Sequence, residues 1–75
     1  MYGELTTTDK ERIDSAIASG IPANIGMINA DYYAITDYIR TPRNRTITTK
    51  LDTHGTCRIT GDGFDVTMII CGRMA

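Results

Sequence analysis

Seventy-five residues with a net charge of −1 and two cysteines set narrow limits: one domain over residues 1–75, no room for two cores and no disulfide framework, which in a secreted mini-protein needs four or more cysteines. A tetrahedral zinc site needs four ligands, more than Cys57, Cys71 and the lone His54 supply, so no metal or cofactor is expected. The longest apolar run, Met68-Ile69-Ile70-Cys71, is strand-sized and far from the ~18–20 residues of a membrane span, and the polar N-terminus reads as no secretory signal; the expectation is a cytoplasmic protein without membrane attachment.

Charge is polarised along the chain. Residues 1–39 carry six acids against Lys10 and Arg12, a balance of −4. Residues 40–75 carry six cations against three acids, a balance of +3, and five of those cations, Arg40, Arg43, Arg45, Lys50 and Arg58, fall within positions 40–58. Ordinary solvated charge and a compact basic patch both fit this distribution.

The first predicted element is a helix over about Asp9–Ser19. Thr8 and Glu11 have the spacing of a capping box, in which the Thr hydroxyl accepts an orphan amide and the Glu carboxylate returns to the cap's own amide. Ile13, Ala16 and Ile17 recur at helical spacing and Gly20 supplies the stop. Ile21-Pro22 then opens a short helix or turn over Pro22–Ile28, interrupted by Gly26. Asn29 or Asp31 caps a further helix in which Ile28, Tyr32, Ile35 and Ile39 form the apolar stripe, Tyr33, Thr36, Asp37 and Arg40 the opposite face, and Pro42 the end.

From Arg45 the period changes from helical to alternating. Ile47, Thr49 and Leu51 share one face of a strand, and Cys57 with Ile59, then Phe64, Val66, Met68 and Ile70, continue it. A three-residue loop Thr53-His54-Gly55 places Leu51 opposite Cys57 and Thr49 opposite Ile59; a two-residue turn Asp62-Gly63 of type I′ places Ile59 opposite Val66 and Cys57 opposite Met68. Both registers put the apolar residues on one side. The expected fold is therefore α+β, with two or three N-terminal helices packed on a C-terminal three-stranded antiparallel β-meander.

No enzyme active site emerges. His54 belongs to a hairpin loop, Asp62 to a turn, and Gly61-Asp62-Gly63 joins two strands and lacks the Lys-Ser/Thr of a phosphate loop. The order helix, short helix, helix, hairpin, with the stretch Gly55-Thr56-Cys57-Arg58-Ile59-Thr60-Gly61-Asp62-Gly63 as the strand leaving a wing, resembles the winged helix-turn-helix family. That resemblance implies a nucleic-acid-binding or transcription-regulatory protein whose recognition helix is Asp31–Arg40 and whose wing tip is Thr53-His54-Gly55. Tyr33, Thr36 and Arg40 would then face base edges of duplex nucleic acid, and Arg43, Arg45, Lys50 and Arg58 would meet phosphates. Small phage-encoded proteins of this general shape also obstruct a host protein, and Tyr with Arg is an ordinary hot-spot pairing at protein interfaces. The second expectation is thus a small inhibitor that works by protein–protein interaction, and a homodimer is compatible with either.

Overall fold

A computed structural model describes residues 5–40 and 46–71. Within them the order is α1 (Thr7–Ser19), β1 (Ala23–Ile28), α2 (Tyr32–Arg40), β2 (Thr48–Leu51), β3 (Thr56–Gly61) and β4 (Phe64–Ile70). The strands form one sheet in the order β1-β4-β3-β2. Strands β2, β3 and β4 are antiparallel neighbours, and β1 lies parallel to β4. The fold is α+β as expected. The three-stranded meander, however, is part of a four-stranded mixed sheet, and the described N-terminal half holds two helices with a strand between them.

Helix α1 starts two residues earlier than its sequence suggests. Thr6, extended at ψ 160°, is the N-cap, and its hydroxyl accepts the Asp9 amide at 3.1 Å. Thr8 lies inside the first turn, so the Thr8–Glu11 box does not form. A threonine run offers three candidate caps, and Thr6 is the one used; Asp9, Ile13 and Ala16 lie on the buried side of the helix. Gly20, in the left-handed conformation at φ 70°, closes the helix.

The segment Pro22–Ile28 is the main correction. It forms β1, where the sequence suggested a short helix. Its register with β4 runs Ala23↔Val66 and Asn24↔Thr67, then shifts before Met27↔Ile69 and Ile28↔Ile70. Two residues, Ile25 and Gly26, therefore oppose Met68 alone, and Gly26 takes φ +74°, a conformation L side chains rarely adopt. The bulge switches the strand's parity. Ala23 and Ile28 both face the helices although five residues separate them, which strict alternation forbids.

Asp31 caps α2, its Oδ1 accepting the Ala34 amide at 2.7 Å. The inward stripe of α2 is Tyr32, Ile35, Thr36 and Ile39, at intervals of three, one and three residues. Ile28, placed on that stripe by spacing alone, ends β1.

In the antiparallel part the pairs are Leu51↔Cys57, Thr49↔Ile59, Ile59↔Val66 and Cys57↔Met68, the pairs that the two turn lengths predict. Strand β2 is shorter than its alternating pattern. Gly55 at φ 90° and Gly63 at φ 85° occupy the turn positions. One face of the sheet carries Cys57, Ile59, Phe64, Val66, Met68 and Ile70, buried beneath Ile13 and Ala16 of α1 and Ile35 and Ile39 of α2. Tyr38 ties the helices together, its hydroxyl donating to both carboxylate oxygens of Asp14 at 2.8 and 2.9 Å. At the other end of α2 the Tyr32 hydroxyl meets the Thr49 hydroxyl of β2. Both helices thus cover one side, and among the described residues nothing covers the other.

Candidate functional site

Helix α2 carries the first group of candidate residues. At about 100° per residue, Tyr33, Asp37 and Arg40 fall within one narrow arc of the helix and all three are exposed, Tyr33 to 60%. Thr36 does not belong with them. It is 3% exposed, and its hydroxyl donates back to the Tyr33 carbonyl at 3.3 Å. The reason is angular: four residues after Tyr32 and one after Ile35, Thr36 sits on the apolar stripe, and its short side chain fits beneath the helix. What α2 presents to solvent is an aromatic ring, a carboxylate and a guanidinium, with the carboxylate in the middle. The Tyr32 and Tyr33 rings meet edge to face with centroids 5.3 Å apart, which fixes the Tyr33 ring at the start of the helix.

Lys50 and Arg58 form the second group. They are direct cross-strand partners on β2 and β3. Both have the parity opposite to Thr49, Cys57 and Ile59, so they stand on the sheet face away from the helices. With Thr48 and Thr60 they line a shallow depression of about 250 Å³. Like charges directly opposite each other repel, and Arg58 turns to the next strand. Its Nε and Nη2 donate to the two carboxylate oxygens of Asp65 at 3.0 and 2.6 Å. The hydrogen bonds from Arg58 hold the Asp65 carboxyl below its ordinary range, and Asp65 holds the Arg58 guanidinium above its own.

The seven sequence-predicted residues therefore do not make one surface. Tyr33 and Arg40 lie on the helical side, Lys50 and Arg58 on the opposite side of the sheet, Thr36 in the core, and Arg43 and Arg45 outside the described residues. The open face also carries an apolar pair, Met27 and Ile69, cross-strand neighbours that are 61% and 40% exposed.

Arg12, which the sequence marks only as one of two cations in an acidic half, has a structural role. Its Nη1 donates to the Met27 carbonyl at 2.9 Å and to Asp9 Oδ1 at 3.0 Å, and its Nη2 donates to the Ile25 carbonyl. The guanidinium thereby covers the two outward carbonyls of the β1 bulge. The Gly26 amide inside that bulge donates to Asn24 Oδ1 at 3.0 Å. Between α1 and β1 runs a groove of about 600 Å³ with Ala16, Ala23, Ile21 and Ile25 among its lining residues. No local pattern marks Arg12 for this work, since the two carbonyls it covers lie 13 and 15 residues away.

Cys57 is buried and Cys71 half-buried, both as free thiols, and burial pushes the Cys57 thiol up to about 11, far from a reactive thiolate. Among the described residues no three His, Cys, Asp or Glu side chains come together in a way that could hold a metal ion, and no helix is long and apolar enough to cross a membrane. The chain matches no family model, and neither a characterised protein nor a solved structure is similar to it.

Proposed function

We propose that this chain is a small binding protein that acts by occupying, and so obstructing, the surface of another protein. The observation that carries this reading is the solvent stripe of α2, where an exposed Tyr33 and Arg40 flank Asp37. Tyr and Arg dominate protein hot spots because each offers a large, partly apolar contact together with directed donors. Asp37 repels phosphate but suits a protein partner, whose surface mixes both signs. The distribution of cations supports the same reading, because Lys50 and Arg58 stand on the far side of the sheet and Arg58 is already neutralised by Asp65.

A nucleic-acid role of the winged-helix kind is the second reading. It is favoured by the adjacency of Lys50 and Arg58 beside the Thr48 and Thr60 hydroxyls, and by Arg43 and Arg45 in the intervening sequence.

Salt dependence separates the two. A protein making six or more phosphate contacts loses on the order of 10³-fold in affinity for duplex DNA between about 50 and 200 mM salt. The protein-binding reading predicts no measurable duplex binding even at the lower salt. It also predicts a partner retained from lysate after nuclease treatment and released by Tyr33→Ala and Arg40→Ala. Duplex binding that falls steeply with salt and weakens in Lys50→Ala and Arg58→Ala would install the second reading instead.

A further inference from the structure

The two edges of the sheet are treated differently, and the difference points to where a partner pairs. On β1 the chain fills its own edge: Arg12 takes the Ile25 and Met27 carbonyls, Asn24 takes the Gly26 amide, and the bulge distorts the strand. Each is a device that prevents another strand from adding there. Strand β2 is short and carries Lys50, features that discourage indiscriminate pairing, but among the described residues no side chain takes up its outward backbone groups and no bulge distorts it. Antiparallel pairing alternates between residues that bond to the neighbour and residues that do not. The Asp52 amide donates to the Thr56 carbonyl at 3.0 Å, which places Asp52, Lys50 and Thr48 on the bonded side. The N–H and C=O groups of Thr49 and Leu51 therefore point outward, away from β3. Leu51 adds an apolar side chain that is 36% exposed although it has core-facing parity, because no further strand lies beside it. The Tyr32–Thr49 hydroxyl contact anchors α2 to this strand, so the edge is held in place.

We infer that β2 is a docking edge for an extended segment of a partner protein, which adds as a fifth strand through the outward backbone groups of Thr49 and Leu51. This rests on the protein-binding reading given above and specifies how the partner is held. Main-chain hydrogen bonds supply the attachment in such strand addition, and alternate side chains supply the selectivity. The side chains define the segment. Lys50 stands on the open face between Thr49 and Leu51, and it has no ion pair among the described residues, so the partner residue beside it is acidic. The residues on either side of that acid face the helices' side of the sheet beside Leu51 and are apolar. An apolar-acidic-apolar stretch in extended conformation fits this edge. Self-pairing centred on Lys50 would set two ammonium groups opposite each other, which works against a second copy in that register.

The outward amides supply a clean test. Proline is tolerated at an edge position whose N–H faces solvent, so Leu51→Pro removes one outward donor and leaves the β2–β3 ladder intact, as a retained amide NMR spectrum for β3 and β4 verifies. The probe is a soluble eight-residue peptide of alternating valine and threonine with one central glutamate between two valines, titrated into labelled protein. Saturable shifts centred on Thr49 and Leu51, with slowed amide exchange at both, are expected. They should vanish with Leu51→Pro and weaken when the peptide's glutamate is replaced by lysine. Absence of saturable shifts at millimolar peptide overturns the inference, as do shifts centred on Met27 and Ile69. If lysate partner capture survives Leu51→Pro but is lost with Tyr33→Ala, strand addition fails while the protein-binding reading stands; if capture is lost in neither, the α2 stripe fails as well.

Discussion

The two faces of the sheet use similar residues for opposite ends. On the helix side Ile59, Val66 and Met68 are completely buried, and their contribution is the area they remove from water. On the open side Met27 and Ile69 remain 61% and 40% exposed, while charge is managed pairwise through Arg58 and Asp65. A domain this small gains its stability almost wholly from one layer of side chains between helices and sheet. The open face is thereby free to vary in composition with little effect on folding, which suits a surface or an edge used for contact.

Substitution of isoleucine on each face should expose that contrast most strongly. Ile59 pairs with both Thr49 and Val66 and lies under the helices. Ile59→Ala is expected to cost about 2–5 kcal/mol, enough to unfold much of the population at room temperature. Ile69→Ala, one strand away and 40% exposed on the open face, should cost distinctly less, about 1 kcal/mol. Urea denaturation of the two variants measures both. Equal losses would mean that the open face is covered in solution, and the division between faces would have to be abandoned.

How much of this was legible in the sequence follows from which physical rule governed each segment. The antiparallel register was legible because two short turns fix it, and a one-residue slip would turn every apolar side chain outward. Strand β1 was not, because its bulge moves Ala23 and Ile28 to the same face in violation of period two, and six residues containing Gly26 satisfy no periodic template. Its parallel partner lies some forty residues on, so neither a turn nor a hairpin loop announces it. Of the candidate site, Tyr33 and Arg40, set opposite the apolar stripe by spacing, lie exposed, whereas Thr36, set there by its polarity, is buried because its angular position decides. The separation of Lys50 and Arg58 from α2 follows from strand parity and from which face the helices cover, and it becomes visible once both are known.

The helix that shields the buried face offers a smaller and sharper contrast. Thr6→Ala removes the hydroxyl that accepts the Asp9 amide and is expected to cost about 0.5–2 kcal/mol. Thr8→Ala, at an exposed position inside the first turn, should change stability by less than about 0.5 kcal/mol. Thermal melts of the two single variants decide which threonine is the cap. A larger loss for Thr8→Ala would restore the Thr8–Glu11 box and start α1 two residues later.

The smallest expected effect concerns acid. Asp52 accepts the amides of Thr56 and His54 at 2.9 and 2.8 Å, and these bonds, with Thr56 contributing most, hold its carboxyl below the ordinary range. Asp65 is held low by the Arg58 hydrogen bonds. A carboxylate whose folded value is depressed stabilises the fold above its unfolded value and loses that contribution as pH falls through the folded one. Both contributions should therefore be complete above about pH 4, the ordinary aspartate range, and disappear below it. The two carboxylates sit in different surroundings, and salt tells them apart. The Arg58–Asp65 pair stands exposed on the open face, where mobile ions screen it, while Asp52 is held by backbone donors within its own turn. Melting temperature followed from pH 6 to pH 2 should fall less steeply in Asp52→Asn and in Asp65→Asn than in the parent, since asparagine does not titrate. Raising the salt to about 0.5 M, where screening acts over only a few ångströms, should shrink the difference between Asp65→Asn and the parent and leave that of Asp52→Asn largely unchanged. If salt flattens both alike, the hairpin carboxylate acts through charge and not through its two amide bonds, and the open face would then own less of the acid sensitivity than its ion pair implies.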